Sequence, residues 1–359
     1  MILKSNYLNT HFTKLACAVL LASLSATTLS ACSNPAHNET AEITDTADVP
    51  NTADAVDTTS ETQTSVTEEA NTPSLDAQLA GDVTIATNKG DVTLPVNPRP
   101  IAVYDMTVMQ DLTALGVPMD GTIDDPLLDS LTMSGATPQN VGTLFEPDLE
   151  ALNALNPQAI FIGGRMAEKY ADLEQIAPTL DLSLDEGDMY NSSKDLLAKL
   201  GKLFGKTDKA NDLQADIDNA IADAKSVTAG KGNGLVILVN GNKLSAQGAS
   251  SRFSFVHKQF GVPMADESIE DAKHGQPVSF EYIQKVNPDW LFVLDRTSAI
   301  GEEGEGAKQV LDNELMHQTK AWQNDHIVYL SPDSYLAYGG YNQWMTDANS
   351  VIEAFSKAD

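Results

Sequence analysis

The 359-residue sequence predicts an α/β protein in which two α/β lobes are joined by a single long helix. Three observations carry this prediction. Strand-like and helix-like segments alternate from residue 81 to the end, one helix-turn-strand pattern occurs twice, and a continuous helical stretch lies between its two copies. We therefore place the first lobe at residues 81–206, the linker helix at residues 207–229 and the second lobe at residues 230–359.

The repeated pattern covers residues 150–165 and, 131 positions later, residues 281–296, in register and without a gap. Each copy has an acid that opens a short helix, an Asn-Pro break, a run of strand residues and a final arginine. Proline makes the preceding residue a helix boundary, and the short apolar run that follows is typical of a core strand. Ligands of open α/β sheets gather outside the carboxyl ends of the strands, where we expect Arg165 and Arg296.

Arginine is scarce in this chain, which has four arginines and eighteen lysines. The rigid five-donor fork of arginine suits carboxylates, phosphates and other oxyanions better than the point charge of lysine does. Capping a strand or pairing with an acid is the alternative role for any single arginine, but the agreement between the copies favours ligand binding. A third arginine, Arg252, lies in a Gly- and Ser-rich loop after the predicted strand 235–239.

The linker helix is predicted within residues 192–228, a helical stretch in two pieces that break near Gly205. Thr207 is expected to cap the second piece, because threonine is favoured at that position. Apolar residues recur at helical spacing along this piece: Leu213, Ile217, Ile221 and Ala224. At 1.5 Å per residue, its roughly twenty residues span about 30 Å, so the helix is expected to form a stiff hinge.

Residues 1–31 have the pattern of an export signal rather than of a folded element. Lys4 and Lys14 precede an apolar run that is too short to span a membrane, and small residues follow. The sequence 29–32, Leu-Ser-Ala-Cys, resembles a bacterial lipobox, which predicts that Cys32 is lipidated and becomes the mature N-terminus. The protein is therefore expected in the cell envelope, anchored by lipid on the periplasmic side of a membrane.

The segment that follows Cys32 is predicted to be a disordered tether up to residue 80. Residues 33–80 contain ten Asp or Glu and ten Thr but no Lys or Arg, with few large apolar side chains. Such a segment cannot bury enough apolar surface to offset its chain entropy. A glycosylated stalk is the alternative interpretation, and neither interpretation makes the segment a binding site.

The charge of the chain excludes several functions. Its formal net charge is −29, and about −21 of this lies after residue 80. Nucleic-acid binding is not expected, because it calls for a basic surface. No basic patch for anionic lipid is evident, so membrane attachment is expected through Cys32 alone. The sequence also has no P-loop, GxSxG, HExxH or CxxC motif.

One histidine has the setting of a binding residue. His274 occupies a polar, glycine-flanked loop, whereas the other histidines after residue 80 lie in helix-like or strand-like segments. A loop imidazole is free to point toward a ligand, although a solvated role is the alternative.

Motifs spread over both lobes carry a resemblance to a known family. They are residues 242–248 with Ser251-Arg252-Phe253, His274-Gly275, residues 292–296, residues 335–339, and Gly164-Arg165 with Tyr170. With these motifs in this order, the chain from about residue 82 onward resembles the periplasmic ferric-siderophore-binding lipoproteins of ABC importers. The similarity is to the catecholate (enterobactin-type) and anguibactin-like binding proteins, and the signal and tether are not part of it.

The resemblance implies the class III periplasmic-binding-protein fold, with an anionic ferric siderophore in a shallow cleft between the lobes. Arg165, Arg252 and Arg296 stand where the family holds its ligand with an arginine triad. His274 and Tyr335 match a histidine and a tyrosine that bind Fe(III) when the siderophore is tetradentate. This is chemically sound, since ferric iron prefers oxygen donors and also accepts imidazole.

The resemblance leaves the identity of the tyrosine open. The chain is one residue shorter before Tyr335 than the family pattern, and Tyr338 and Tyr341 lie nearby. We favour Tyr335. The native siderophore, its denticity and chirality, and the membrane that holds the lipid are also left open.

The family docks on its permease through one exposed acid per lobe, and this implies docking roles for Glu150 and Glu281. A favourable charge in the first helical turn is the alternative role for each acid. The resemblance implies a monomeric, non-catalytic protein with no resident cofactor. A binder of haem, a corrin or a free metal ion is the alternative binding function, and a chelatase-like enzyme is the alternative from another class.

Overall fold

The computed structural model describes residues 81–124, 137–270, 272, 274–302 and 304–358. The predicted signal, Cys32 and the tether lie outside these described residues. The strands are β1 Asp82–Thr87, β2 Gly90–Pro95, β3 Ile101–Val103, β4 Gly121–Thr122, β5 Gln139–Asn140, β6 Ala159–Ile162, β7 Thr179–Asp181, β8 Gly234–Asn240, β9 Lys243–Ala246, β10 Gln276–Val278, β11 Trp290–Asp295 and β12 Ile327–Tyr329.

Helices follow the strands through most of the chain. They are α1 Met106–Leu115, α2 Leu149–Leu155, α3 Tyr170–Leu173, α4 Met189–Leu203, α5 Thr207–Thr228, α6 Phe255–Lys258, α7 Phe280–Val286, α8 Arg296–Ala299, α9 Ala307–Val310, α10 Lys320–Gln323, α11 Asp333–Leu336 and α12 Tyr341–Lys357. Among the described residues, none of these helices is both long and apolar enough to cross a membrane.

Within the described residues the strands form the hairpin β1–β2 and two five-stranded sheets. The first sheet has the order β5-β4-β3-β6-β7 with parallel pairing throughout, and the second has the order β10-β9-β8-β11-β12. In the second sheet β8, β11 and β12 are parallel, while β9 runs antiparallel to β8 and β10. We call the two parts built around these sheets, before and after α5, the first and second lobes. The predicted fold class is confirmed, and the antiparallel edge is an addition to it.

The two repeat copies have the predicted helix-turn-strand structure. Helix α2 ends at Asn156 and helix α7 at Asn287, both in the left-handed region with φ of 51° and 49°. Their backbone N–H groups donate to the carbonyls of Leu152 and Ile283, which closes the last turn of each helix. Asparagine tolerates this conformation better than most residues, so the Asn-Pro pair ends the helix and directs the chain into the following strand.

The long helix α5 lies in the middle of the chain, as predicted. Gly205, with φ of 62°, separates it from α4, and its 22 residues correspond to a length of about 33 Å. The prediction that Thr207 caps this helix is wrong, because Thr207 is its first residue and Lys206 precedes it without a side-chain cap. Its buried face consists of Ala210, Leu213, Ile217, Ala220, Ala224 and Thr228, while Ile221 is half-buried.

One of two clusters of buried apolar residues in the described structure extends over both lobes, and the other lies in the second lobe. The C-terminal helix α12 packs along α5 and also contacts α1. Its buried Trp344 meets the ring of Tyr190 in the first lobe edge-on at 6.2 Å and the ring of Phe255 in the second lobe at 5.6 Å. The lobes therefore share apolar contacts besides their connection through α5.

The short helix α11 is anchored on the C-terminal helix by a buried carboxylate. Asp347 accepts hydrogen bonds from the backbone N–H of Ser331 at 2.7 Å, from the hydroxyl of Ser334 and from the amide of Gln343 at 2.7 Å. Burial raises the pKa of Asp347 to about 6, although these donors oppose the increase. The three donors compensate part of the cost of burying this carboxylate, and they fix the start of α11.

The segment that follows α11 is held by the first lobe. The hydroxyl of Thr107 donates to the carbonyl of Tyr338 at 3.2 Å, and the N–H of Tyr341 donates to the carboxylate of Asp111 at 2.9 Å. Thr107 and Asp111 both belong to α1. The chain around the predicted iron-binding tyrosine is therefore fixed by contacts from both lobes.

Candidate functional site

A cavity of about 470 Å³ lies in the second lobe and is lined by four of the five ligand-binding residues that the sequence predicted. These four are Arg252, His274, Arg296 and Tyr335. The polar remainder of the lining is Asn240, Asn242, Lys243, Ser245 and Gln247. Apolar walls come from Leu238, Leu244, Phe253, Pro277 and Val278. The volume is within the usual range for small-molecule sites, about 300–1,000 Å³.

Arg296 reaches the cavity because Asp295, the last residue of strand β11, caps the start of helix α8. Asp295 accepts hydrogen bonds from the N–H groups of Ser298 at 3.0 Å and of Ala307 at 2.7 Å, which starts α8 at Arg296. Burial raises the pKa of Asp295, but these bonds outweigh burial and hold it below its ordinary value. The turn at the carboxyl end of β11 therefore points Arg296 toward the cavity.

The guanidinium of Arg296 is held by neutral partners. Its Nε donates to the hydroxyl of Tyr335 at 2.9 Å, and its Nη1 donates to the amide oxygen of Asn240 at 3.1 Å. The carboxylate of Glu302 lies 3.8 Å from Nη1 and is largely exposed. Because most of its near partners are neutral, Arg296 keeps much of its positive charge available to an anion.

Arg252 is surrounded by aromatic rings. Its Cζ lies 5.8 Å from the ring centroid of Phe253, 5.5 Å from that of Tyr335 and 5.1 Å from that of Tyr338. Among the described residues it has no hydrogen-bond acceptor or carboxylate partner. Aromatic faces stabilise a guanidinium without occupying its donors. Arg252 is thus an oriented cation whose N–H groups have no acceptor within the described part of the chain and can meet a ligand.

His274 is exposed at the rim of the cavity, directly before Gly275 and β10. Gly275 has φ of 77°, and a Cβ there would lie 2.7 Å from the carbonyl of Ala246 and collide with the side chain of Gln247. Glycine therefore lets this turn approach β9 closely. The approach places His274 at the same cavity as Tyr335.

Arg165 does not line the cavity. Its Nη1 donates to the carbonyl of Leu336 at 2.9 Å, and its Nη2 donates to the carbonyl of Tyr335 at 2.8 Å. It thus crosses from the first lobe to the backbone of a residue that does line the cavity. Ligand contact by all three arginines stays a prediction, and in this structure two of the five N–H donors of Arg165 bind these carbonyls.

The two alternative tyrosines have other surroundings. Tyr338 packs against Arg252 outside the cavity lining, and burial raises its pKa, although the Arg252 and Arg165 charges oppose this. The hydroxyl of Tyr341 donates to Asp216 at 3.2 Å, and burial raises its pKa as well. Tyr335 is the tyrosine that lines the cavity.

The remaining histidines of the described part have structural partners. His257 contacts the carbonyl of Val262 at 2.8 Å, His317 lies 2.6 Å from Asp312, and the ring of His326 stacks on Trp290 with centroids 4.0 Å apart. Burial lowers the pKa of His257. No group of three or more His, Cys, Asp or Glu within the described ranges is arranged to hold a bare metal ion.

Glu150 and Glu281 occupy equivalent exposed positions as the second residues of α2 and α7. The capping bonds are made by the residues before them: Asp148 accepts from the N–H of Glu150, and Ser279 accepts from that of Tyr282. A hydrogen bond from Ser279 lowers the pKa of Glu281. Neither helix therefore depends on its glutamate for the cap.

Sequence reasoning missed the hairpin wall of the cavity. Strands β8 and β9 pair up to Asn240 and Lys243, with Gly241, φ 54°, in the turn between them. This hairpin supplies Asn240, Lys243 and Ser245 to the lining. An Asn-Gly pair between two strand-like runs is a hairpin signal, so the turn was recognisable, although its position beside Arg296 was not.

Comparisons with known proteins agree with this arrangement. Residues 101–334 match the family model described as periplasmic binding protein. The chain is 39% identical over 264 residues to the petrobactin-binding protein YclQ of Bacillus subtilis (strain 168), covering 72% of this chain and 83% of that one. The crystal structure of YclQ aligns with a TM-score of 0.72, covering 77% of this chain and 99% of the other at 36% identity.

Two further relatives carry names of the same kind. The ferric-anguibactin-binding protein FatB of Vibrio anguillarum (strain ATCC 68554 / 775) is 30% identical over 264 residues, which are 72% of this chain and 82% of that one. The siderophore-binding protein BauB, solved with two acinetobactin molecules and ferric iron, aligns with a TM-score of 0.68 at 29% identity over 77% of this chain and 99% of that one. The predicted resemblance is confirmed, and the chain belongs to the periplasmic binding protein family.

Proposed function

We propose that this protein captures an anionic ferric siderophore in the second-lobe cavity and delivers it to an ABC permease for iron uptake. The observation that carries the proposal is the meeting of Arg252, Arg296, His274 and Tyr335 around one cavity. Two cations suit a negatively charged chelate, and an imidazole with a phenol suits ferric iron. The names of YclQ, FatB and BauB support the same class of ligand.

Arg252 and Arg296 would neutralise the chelate. The surface of residues 81–359 carries an excess of acid, so its long-range field repels anions. Attraction must therefore act at short range, where donors face the ligand directly. Arg252, whose N–H groups have no acceptor among the described residues, and Arg296, whose hydrogen-bond partners are neutral, meet this requirement.

His274 and Tyr335 would complete the coordination of iron in a tetradentate complex. Such a complex, of catecholate type in our proposal, leaves two of the six positions on iron for outside donors. A hexadentate complex leaves none. Dependence on these two side chains therefore distinguishes coordination of the metal from ordinary contact with the ligand.

The test is a fluorescence-quenching titration of the unaltered chain, His274→Ala and Tyr335→Phe with a ferric bis-catecholate and a ferric tris-catecholate. We expect each variant to weaken binding of the bis-catecholate by at least about tenfold and to leave the tris-catecholate nearly unchanged. Equal losses for both chelates would exclude direct ligation. An unaltered chain that bound neither chelate but bound haem or a corrin would overturn the proposed function.

The proposal describes a carrier and not an enzyme, since its relatives are substrate-binding proteins. The bound chelate should be recovered unchanged after incubation with the protein. Appearance of iron-free or hydrolysed siderophore with turnover would instead indicate a chelatase-like activity. The same incubation, followed by chromatography of the chelate, separates these outcomes.

We further propose that the protein acts in the cell envelope on the periplasmic side of a membrane, as a monomer anchored through lipid on Cys32. Residues 1–31 would be removed as a signal, and residues 32–80 would be the tether. The lipobox-like sequence supports this. Cys32→Ala should leave the precursor unprocessed or release the protein without detergent. Recovery of the mature chain with no lipid on residue 32, by mass spectrometry, would contradict the anchor.

A further inference from the structure

The wall of the second-lobe cavity has a charge balance opposite to that of the whole chain. The chain contains 51 acidic and 22 basic residues, yet the described residues that line the cavity include two arginines and one lysine but no Asp or Glu. Glu302 approaches Arg296 to 3.8 Å from outside this lining. Cations that lie together without counter-charges repel one another until an anion binds. The lining therefore suits a ligand with several negative charges, and Lys243 supplies one of its three cations.

The register of the β8–β9 hairpin directs Lys243 toward the cavity. Lys243 lies directly opposite Asn240 in this antiparallel pair, and Ser245 lies opposite Leu238. Residues opposite each other project from the same face of a sheet, and residues two apart on one strand share that face. All four of these residues line the cavity, whereas Ala246, on the other face of β9, is buried in the second-lobe core. The stem of Lys243 therefore leaves the sheet on the cavity side.

Lys243 stands beside Arg296 but has different surroundings. Its cross-strand neighbour Asn240 accepts a hydrogen bond from Nη1 of Arg296 at 3.1 Å, so the hairpin and the arginine meet at one residue. Lys243 itself is exposed at the mouth of the cavity, and within the described part of the chain its ammonium has no hydrogen-bond acceptor and no carboxylate partner. A lysine side chain is flexible and carries three donors, so it can adjust to a bound anion.

We propose that Lys243 is a specificity-determining residue that distinguishes ferric chelates by their total negative charge. This inference rests on the proposed function and assigns a role to a side chain outside the set of arginines, histidine and tyrosine. In the ferric complexes, two catecholate arms leave one net negative charge, and three arms leave three. Coulomb attraction is proportional to the charge of the ligand, so Lys243 should contribute most to binding of the tris-catecholate.

This selectivity is opposite to that of His274 and Tyr335. Those two side chains would supply donor atoms that only the bis-catecholate lacks. Lys243 would supply a charge that the tris-catecholate uses most. Substitutions at the two kinds of position should therefore weaken different chelates, and the comparison separates recognition of charge from coordination of iron.

The first experiment is a fluorescence-quenching titration of Lys243→Met with a ferric bis-catecholate and a ferric tris-catecholate. Methionine retains an apolar stem without the ammonium. The variant should bind the tris-catecholate about tenfold more weakly and the bis-catecholate less than about threefold more weakly. Because Lys243 is exposed, added salt should screen its charge and narrow the difference between the variant and the unaltered chain. Lys243→Arg should keep the preference, since it keeps the charge.

Lys308→Met is the matched control. Lys308 is also an exposed lysine of the second lobe, on α9, and it does not line the cavity. Its loss changes the net charge of the chain by the same amount as the loss of Lys243. Affinities for both chelates should stay within about twofold, because surface substitutions away from a site have small effects.

The second experiment needs no substitution. The unaltered chain is acetylated briefly by an N-hydroxysuccinimide ester, with and without the ferric tris-catecholate, and the modified lysines are identified by mass spectrometry. The bound chelate should slow acetylation of Lys243 several-fold and leave that of Lys308 unchanged.

Four outcomes would overturn the inference. Equal weakening of both chelates by Lys243→Met would mean that Lys243 contacts a part that they share and does not distinguish their charge. Equal effects of Lys243→Met and Lys308→Met would indicate general charge. Unchanged affinities, or undiminished acetylation of Lys243 in the complex, would leave it a solvated lysine. Failure of the proposed function has a different signature, since the unaltered chain would then bind neither chelate.

Discussion

The repeat copy in the first lobe and the copy in the second lobe have the same backbone course but use their arginines differently. Strands β6 and β11 occupy corresponding places in two sheets of the same strand order. Each is preceded by a seven-residue helix that ends at a left-handed asparagine. Yet Arg296 faces a cavity of its own lobe, and Arg165 binds the backbone of the other lobe.

The difference begins where the strands end. Two glycines extend the chain after β6, so Arg165 stands three residues beyond its strand. Strand β11 runs directly into α8, whose cap Asp295 leaves Arg296 at the strand end. The second sheet also differs from the first, because its strand β9 runs antiparallel to β8. Strand β9 forms one wall of the cavity beside Arg296. The same local pattern thus acquires its role from the elements packed next to it.

The largest expected effect comes from Glu150 and Glu281, the exposed acids at the starts of α2 and α7. It tests whether these two acids have the same role in the two repeat copies. Reversing both acids, Glu150→Lys with Glu281→Lys, should reduce siderophore-dependent iron uptake to background, because the family resemblance implies that the permease is docked through one exposed acid on each lobe. Each single reversal should reduce uptake by a similar factor. Uptake of radioactive iron by cells that express only the variant is the measurement.

The control for the docking acids is Glu353→Lys, a reversal of an exposed acid that pairs with Lys357 on α12. It should not change uptake. Affinity for the ferric chelate should be unaltered in all these variants, and a loss of affinity would contradict the docking role. Unequal single reversals would point to the neighbours of the acids, since Leu149 is 42% exposed whereas its counterpart Phe280 is half-buried.

The next effect concerns the arginines that face the cavity. Arg252→Ala should weaken every anionic chelate by about tenfold to a hundredfold, since a charge-assisted contact contributes about 1.5–3 kcal/mol. Arg296→Ala should fall at the lower end of that range, because Arg296 shares its donors with Asn240 and Tyr335. Titration with a hexadentate ferric tris-catecholate is the measurement. If Arg165→Ala weakened binding of the chelate more than Arg252→Ala and Arg296→Ala do, the two repeat copies would not differ in how they use their arginines.

A smaller effect comes from the acid beside the second-copy arginine. Glu302 lies 3.8 Å from Arg296 and competes with an anionic ligand for its charge. Because exposed pairs contribute at most about 1 kcal/mol, Glu302→Gln should tighten binding by about twofold to fivefold. Glu305→Gln is the control. Glu305 lies in the same loop as Glu302, and its carboxylate accepts a hydrogen bond from the side-chain amide of Gln309. Similar changes in the two variants would indicate general charge and not this pair.

The smallest effect separates the two asparagines. Asn287 also accepts a hydrogen bond from the N–H of Lys320 at 2.8 Å through its side chain, whereas Asn156 is exposed and, among the described residues, is bonded through its backbone alone. Glycine suits the left-handed conformation, so Asn156→Gly should be nearly neutral and Asn287→Gly should cost about 1 kcal/mol. Denaturant unfolding measures both. Equal costs would mean that the two turns are energetically the same.

Short-range features of this chain were readable from its sequence. The Asn-Pro breaks, the break at Gly205 and the long helix α5 each follow from residues within a few positions of one another. The sequence analysis also named Arg252, Arg296, His274 and Tyr335, which the structure places around one cavity, although for His274 and Tyr335 the family resemblance was decisive. Thr207 was misplaced because helix starts depend on a single turn of backbone.

Only the tertiary structure decided which of these residues meet. The helix-turn-strand pattern that the two copies share does not specify a partner, so the crossing of Arg165 to the carbonyls of Tyr335 and Leu336 depends on how α11 packs between the lobes. The antiparallel direction of β9 and the closeness of the Gly275 turn to Ala246 likewise depend on contacts between distant segments. Local sequence determines conformation through backbone sterics and capping, whereas the site arises from long-range packing that no short window contains.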